Sequence, residues 1–147
     1  MTPTVDGRDV RLANESWEAL LSAQVSVMRG FAAERMWDEM SINEYDVLYA
    51  LRKAGCALRQ SELTKQVLLS QPALSRLVER LEQRGLVQRS ADSRDRRGVL
   101  VSLTDAGAEA QQRTGVRHAR SVEERMRTLT PEQQQQLRDL CTLPITD

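Results

Sequence analysis

The sequence predicts a mainly α-helical fold with a small β-hairpin wing: a winged helix-turn-helix carrying further helices at both ends. Three observations lead there. Over Gln60–Leu103, a short helix, a tight turn and a second helix run straight into strand, charged loop and strand. The apolar complement is mostly Leu, Val, Ala and Met, with one Phe, two Trp and two Tyr, which suits a helical core. Helix starts and stops are marked by capping residues at regular intervals. At 147 residues the length favours one domain, residues 1–147, with a central lobe at about 40–103 and flanking helices at about 13–38 and 104–147.

Met1 to Leu12 carries Pro3, Gly7 and mixed charge without a period and reads as an ordered-on-contact or frayed terminus. A long amphipathic helix is expected from Asn14 to about Asp38, because Trp17, Leu20, Leu21, Val27, Met28 and Phe31 share one stripe. Ser41 with Glu44 three residues on forms a capping box for a second helix that buries Tyr45, Leu48 and Leu51 and stops at Gly55. Gln60–Val67 makes a short third helix, and Leu68–Ser70 a turn. Ser70 then caps a helix over Gln71–Arg84, with Pro72 in its first turn and Gly85 as a left-handed terminator. Leu74, Leu77, Val78 and Leu81 give this helix one narrow buried face. Gln71, Ala73, Ser75, Arg76, Glu79 and Arg80 point outward.

Leu86–Ser90 and Val99–Leu103 read as a hairpin joined by the polar stretch Ala91–Gly98. Thr104-Asp105 caps a helix running from Ala106 to about Thr128, whose Ala119, Val122, Met126 and Leu129 form a heptad-like seam. Thr130-Pro131-Glu132-Gln133 launches a last helix through Leu137, Leu140 and Leu143. The apolar seams of the first, fifth and sixth helices exceed what one small lobe can cover, so a homodimer is expected.

The 21 basic and 21 acidic residues cancel, but they are unevenly placed. From Arg59 to Ser102 nine basic residues face five acidic ones, a net +4, and the remainder carries −4. No secretory leader or membrane-length apolar run is visible, and Cys56 and Cys141, 85 residues apart, form no disulfide framework, so a reducing cytoplasmic setting is expected. There is no GxSxG, GxxxxGK[ST], HExxH or GxGxxG, and one His with two distant Cys supplies no metal-ligand set. Neither an enzyme, a cofactor nor a metal is expected.

A helix with a thin apolar seam and a basic outer face fits a major groove about 12 Å wide, and the wing then reaches an adjacent minor groove. The candidate DNA-binding residues are Ser70, Gln71, Ala73, Ser75, Arg76 and Arg80 on the helix, and Arg94, Asp95, Arg96 and Arg97 on the wing. Gln71 suits adenine, Arg76 and Arg80 suit guanine or phosphate, and Ser70, Ser75, Arg59 and Arg84 suit phosphate. Arg97 suits a narrow minor groove, and Asp95, two residues before it, is expected to hold its guanidinium. The alternatives are a solvated helix face, a surface salt-bridge cluster at the hairpin tip, or a basic face that docks an acidic protein and reads no DNA.

Ser70–Leu86 (SQPALSRLVERLEQRGL) followed by Asp92–Gly107 (DSRDRRGVLVSLTDAG) resembles the MarR family of winged-helix regulators, most specifically through Asp95-Arg96-Arg97-Gly98-Val99, Leu103-Thr104 and Gly107. The resemblance implies a homodimer with intertwined terminal helices on a pseudo-palindromic double-stranded operator, with Arg97 in the minor groove. It implies a repressor released when a small aromatic or anionic effector binds between the dimer helices and the DNA-binding lobe. Relatives that sense peroxide carry a first-helix cysteine, which this chain lacks, so Cys56 and Cys141 read as buried structural thiols. Relatives that bind urate pair a first-helix Trp with an acid and an arginine near the wing. Trp17, Glu62 and Arg97 are candidates for those effector-binding roles, against packing of Trp17 in the dimer core. His118 reads as a solvated residue of the fifth helix.

Overall fold

The computed structural model describes residues 4–5 and 8–143. Two compact units emerge: the residues up to Arg35 with those from Arg125 onward, and Met36–Glu124.

In the first unit, strands β1 (Thr4–Val5) and β2 (Arg8–Asp9) pair antiparallel and lead into helix α1 (Val10–Ala32). The helix begins four residues before the expected Asn14. The Asp9 carboxylate accepts the Leu12 N–H at 2.9 Å and so caps it, while Asn14 lies inside the helix with Nδ2 donating to Val10 O. Met1–Pro3 and residues 6–7 of the expected frayed terminus lie outside the described residues. At the far end the Glu34 N–H returns to Phe31 O, three residues back, so α1 tightens and stops at Ala32 rather than continuing to Asp38. A 3-10 turn, Arg35–Trp37, follows.

The second unit holds the core. Helix α2 (Ile42–Ala54) starts on the expected capping box: Ser41 Oγ accepts from Glu44 N at 3.1 Å and Glu44 Oε1 accepts from Ser41 N at 3.2 Å. It buries Tyr45, Val47, Leu48, Ala50 and Leu51 and ends at Gly55. Strand β3 (Leu58–Arg59), helix α3 (Gln60–Gln66), helix α4 (Gln71–Gln83) and strands β4 (Val87–Ala91) and β5 (Val99–Leu103) complete the lobe. The expected hairpin is present, with Val87 opposite Leu103 and Ala91 opposite Val99. It is joined by β3, which pairs Leu58 with Val101 and Arg59 with Leu100 to make a three-stranded sheet of order β3-β5-β4. Two residues are too few to show a period of two, so this strand leaves no sequence pattern. Leu63, Leu74, Leu77, Val78, Leu81, Val87 and Val101 close over Val47, Leu48 and Leu51 in one cluster.

Helix α5 (Asp105–Met126) begins one residue earlier than expected. Its buried residues are Gly107, Ala110, Gln111, Thr114 and Ser121, a stripe of small and polar side chains. Of the anticipated seam, Val122, Met126 and Leu129 are half-buried and Ala119 is exposed. Helix α6 (Pro131–Cys141) returns to the first unit, capped as expected by Thr130 with Gln133. Within the first unit Arg125 forms an ion pair with Glu34 and lies 5.2 Å from the Phe31 ring centre. On the single chain Trp17, Leu20, Leu21, Leu137 and Leu140 stay exposed.

Candidate nucleic-acid interface

The N-terminus of α4 is set by Ser70, whose Oγ accepts the Ala73 N–H at 3.3 Å, leaving its own hydroxyl proton to donate outward. Leu74, Leu77, Val78 and Leu81 are buried as expected, and this fixes the opposite face. Gln71, Arg76 and Arg80 are exposed on it, with Ala73 and Ser75 half-buried beside them. At the other end Gly85 takes φ +74°, a left-handed conformation that costs an L side chain energy, and the chain turns into β4.

The wing is anchored by a residue that the sequence reading passed over as a site. Asp92 is only 6% exposed. Its Oδ1 accepts the Arg94 N–H at 2.9 Å, and its Oδ2 accepts Arg59 Nε at 2.6 Å. The backbone N–H of Arg94 and then the Arg59 guanidinium hold its carboxyl below the usual carboxylate range, outweighing desolvation. Asp92 N donates to Gly98 O and Gly98 N to Asp95 O, which closes the tip. Asp95 repeats the local motif: its Oδ1 accepts the Arg97 backbone N–H at 3.0 Å. The expected bond from Asp95 to the Arg97 guanidinium is therefore corrected. With a spacing of two, the carboxylate satisfies the nearer amide, orienting the Arg97 backbone and leaving the guanidinium outward.

Ion pairing sorts the basic residues of this lobe. Arg59 is held by Asp92, Arg84 by Glu44 at 2.7 Å, and Arg89 by Glu82 at 2.9 Å. Arg59 and Arg84, expected to meet phosphate, each have a carboxylate within 2.7 Å that ties them into the fold. Among the described residues Lys65, Arg76, Arg80, Arg94, Arg96 and Arg97 form no ion pair, and all six are exposed. Gln71, Pro72 and Ser75 from α4, Asp95, Arg97, Gly98 and Val99 from the wing and Arg59, Gln60 and Ser61 from the start of α3 line one cleft of about 470 Å³. Helix and wing residues singled out from the sequence thus face a shared concavity. Arg96 and Arg97 also border a second hollow with Arg89.

Of the effector candidates, Glu62 and Arg97 belong to the second unit and Trp17 to the first. Glu62 Oε2 accepts the Arg59 N–H at 3.1 Å, completing the cap of α3, and Glu62 does not line the cleft that holds Arg97. Trp17 is 58% exposed on the single chain. The thiols are exposed, not buried: Cys56 follows the turn at Gly55, and Cys141 is the last residue of α6, whose apolar face the single chain leaves open. His118 is not simply solvated either, since its ring lies 5.4 Å from that of Trp37 and 5.2 Å from that of Tyr45. Among the described residues there is no metal-ligating cluster, and no helix is long and apolar enough to cross a membrane.

Residues 40–99, the span from the end of the Arg35–Trp37 connection to the start of β5, match the MarR family model. The multiple antibiotic resistance protein MarR of Salmonella typhimurium is 31% identical over 102 residues, 69% of this chain and 63% of that protein, so the chain spans less than two thirds of this relative's length. Among solved structures, Sco3205 of Streptomyces coelicolor, a MarR family transcriptional regulator in complex with DNA, superposes with a TM-score of 0.74 at 29% identity, covering 90% of this chain and 88% of that one. PcaV of the same organism, in complex with its natural ligand, superposes with a TM-score of 0.67 at 30% identity, covering 81% and 87%. Sequence, fold and the construction of helix and wing agree: the chain belongs to the MarR family.

Proposed function

We propose that the chain is a cytoplasmic, homodimeric transcriptional regulator that binds double-stranded DNA at a pseudo-palindromic operator and represses until a small aromatic or anionic effector releases it. The observation that carries this reading is the cleft shared by α4 and the wing, lined by Arg97, with Arg76, Arg80, Arg94 and Arg96 exposed on the same helix and wing and, among the described residues, in no ion pair. Arg76 and Arg80 would lie along a major groove with Gln71 reading a base edge, while Arg97 enters the flanking minor groove. The lobe at about 40–103 carries recognition, and the helices at about 13–38 and 104–147 carry dimerisation. The exposed apolar side chains of α1 and α6 support that division. Sco3205, solved on DNA, and PcaV, solved with its ligand, support the operator and the effector respectively. In this reading the role is binding rather than catalysis.

Fluorescence-anisotropy titration of a duplex covering the promoter beside the chain's own gene tests the reading. Saturation at two chains per site is expected, with affinity falling steeply as salt rises because phosphate contacts release counterions. Absence of binding on every neighbouring promoter, together with capture of an acidic protein on the same face, would replace DNA with a protein partner.

A further inference from the structure

Arg84 and Glu39 do not line the cleft shared by α4 and the wing, yet they link α4 to α5 within the second unit. Arg84, the residue that ends α4, donates Nη1 to Glu44 Oε2 and Nη2 to Glu39 O, both at 2.7 Å. The Glu39 carboxylate is clamped from the other side by Arg113 of α5, Nη2 to Oε1 at 2.5 Å and Nε to Oε2 at 3.3 Å. Glu44 also holds the Ser41 N–H, so the connection from Glu39 to Glu44 is fixed by its own cap. The rest of the lobe grips α5 nearer its start: Thr104 Oγ1 donates to Gly85 O and Arg52 Nη1 donates to Ala108 O.

We infer that Glu39 is a positioning residue for DNA binding: the clasp Arg84–Glu39–Arg113 sets the pose of the recognition helix against α5. The inference rests on the DNA-binding reading above. An exposed ion pair adds little to global stability, so the clasp matters through geometry. Its hydrogen bonds persist at neutral pH, since the Arg113 bonds hold the Glu39 carboxyl below its ordinary value against partial desolvation.

Charge alone and the clasp predict opposite signs. Glu39→Gln removes a negative charge, so long-range electrostatics makes DNA binding tighter. Loss of the clasp makes it weaker, by about 2- to 30-fold, the span of couplings transmitted through packed elements. Arg113→Gln should weaken binding by a similar factor, and the double variant should be no weaker than either single one, because both remove the same connection.

Anisotropy titrations of the full-length dimer with operator DNA, alongside Arg97→Ala and with melting temperatures recorded for every variant, decide the matter. The expected result is weaker binding in both clasp variants, no further loss in the double variant, and melting temperatures near that of the wild type. Glu39→Gln that binds equally or more tightly, losses that add in the double variant, or a loss explained by unfolding at the assay temperature overturns the clasp while leaving the interface intact. Wild-type protein that binds no DNA removes the functional reading, and the clasp with it.

Discussion

Gly107 is the third residue of α5, and an ideal Cβ built on it would lie 2.0 Å from Leu86 O and 2.9 Å from Leu103 Cδ1. Helix propensity alone makes Gly107→Ala stabilising by up to about 1 kcal/mol. The packing predicts the reverse. A carbon and a carbonyl oxygen need more than 3 Å, so α5 must move by about 1 Å from the turn that ends α4, and overpacking of this kind costs about 1–3 kcal/mol. The shift also strains the bonds that seat the helix: Thr104 N to Leu86 O at 3.2 Å, Thr104 Oγ1 to Gly85 O at 2.7 Å, and Gly107 N to Thr104 Oγ1 at 3.0 Å. Losing one or two of them adds about 1 kcal/mol each. Set against the propensity gain, the net is a destabilisation of about 1–4 kcal/mol, which lowers the melting temperature by roughly 3–15 °C for a chain of this size. Thermal unfolding followed by circular dichroism measures it directly. A variant that melts at or above the wild-type temperature refutes the argument that close approach, rather than flexibility, explains this glycine.

Arg97→Ala should weaken operator binding by about 1–3 kcal/mol without lowering the melting temperature, whereas Lys65→Ala should mainly reduce the slope of log affinity against log salt; titrations at several salt concentrations separate the two. Asp92→Asn should loosen the wing, because the Arg59 pair and the Arg94 turn both lose their charged acceptor, and hydrogen exchange at Arg94–Gly98 should quicken while α2 stays protected. The carboxyls of Asp92 and Glu82 are both depressed, chiefly by hydrogen bonds from Arg94 and Arg89 respectively, so the stability they add is complete above the ordinary carboxylate values of 3.8 and 4.5 and is lost as pH falls through the lower folded values. Melting temperature should therefore stay level from pH 8 to about 5.5 and drop below about pH 4. Leu140→Glu, on the exposed apolar side of α6, should yield monomers in analytical ultracentrifugation at micromolar concentration if that surface is the dimer contact.

Much of the fold was legible because its boundaries are made by local chemistry. Ser41 with Glu44, Ser70 with Pro72, and Thr130 with Gln133 cap in the structure as their spacing indicates, since a cap is decided within four residues. The buried face of α4 followed from spacings of three and four for the same reason. What stayed hidden depends on distant partners. Strand β3 exists only because β5 lies beside it, and Asp92 looked like one charge among several until Arg59, 33 residues earlier, was seen to reach it. Arg59 and Arg84 read as free cations because nothing local reveals a carboxylate brought across the fold. The same limit applied to Asp95, whose nearest donor was the backbone amide rather than the guanidinium of Arg97. Burial of the two cysteines was inferred from residue type, and their positions at a turn and a helix end decided otherwise.

The most direct test of the account is a hydroxyl-radical footprint of the wild-type protein and Arg97→Ala on the promoter beside the chain's own gene. Two protected major-groove centres about 10 bp apart, or a multiple of that, with flanking minor-groove protection that Arg97→Ala selectively loses, is the predicted result. A footprint without that spacing, or flanking protection that survives in Arg97→Ala, would contradict it.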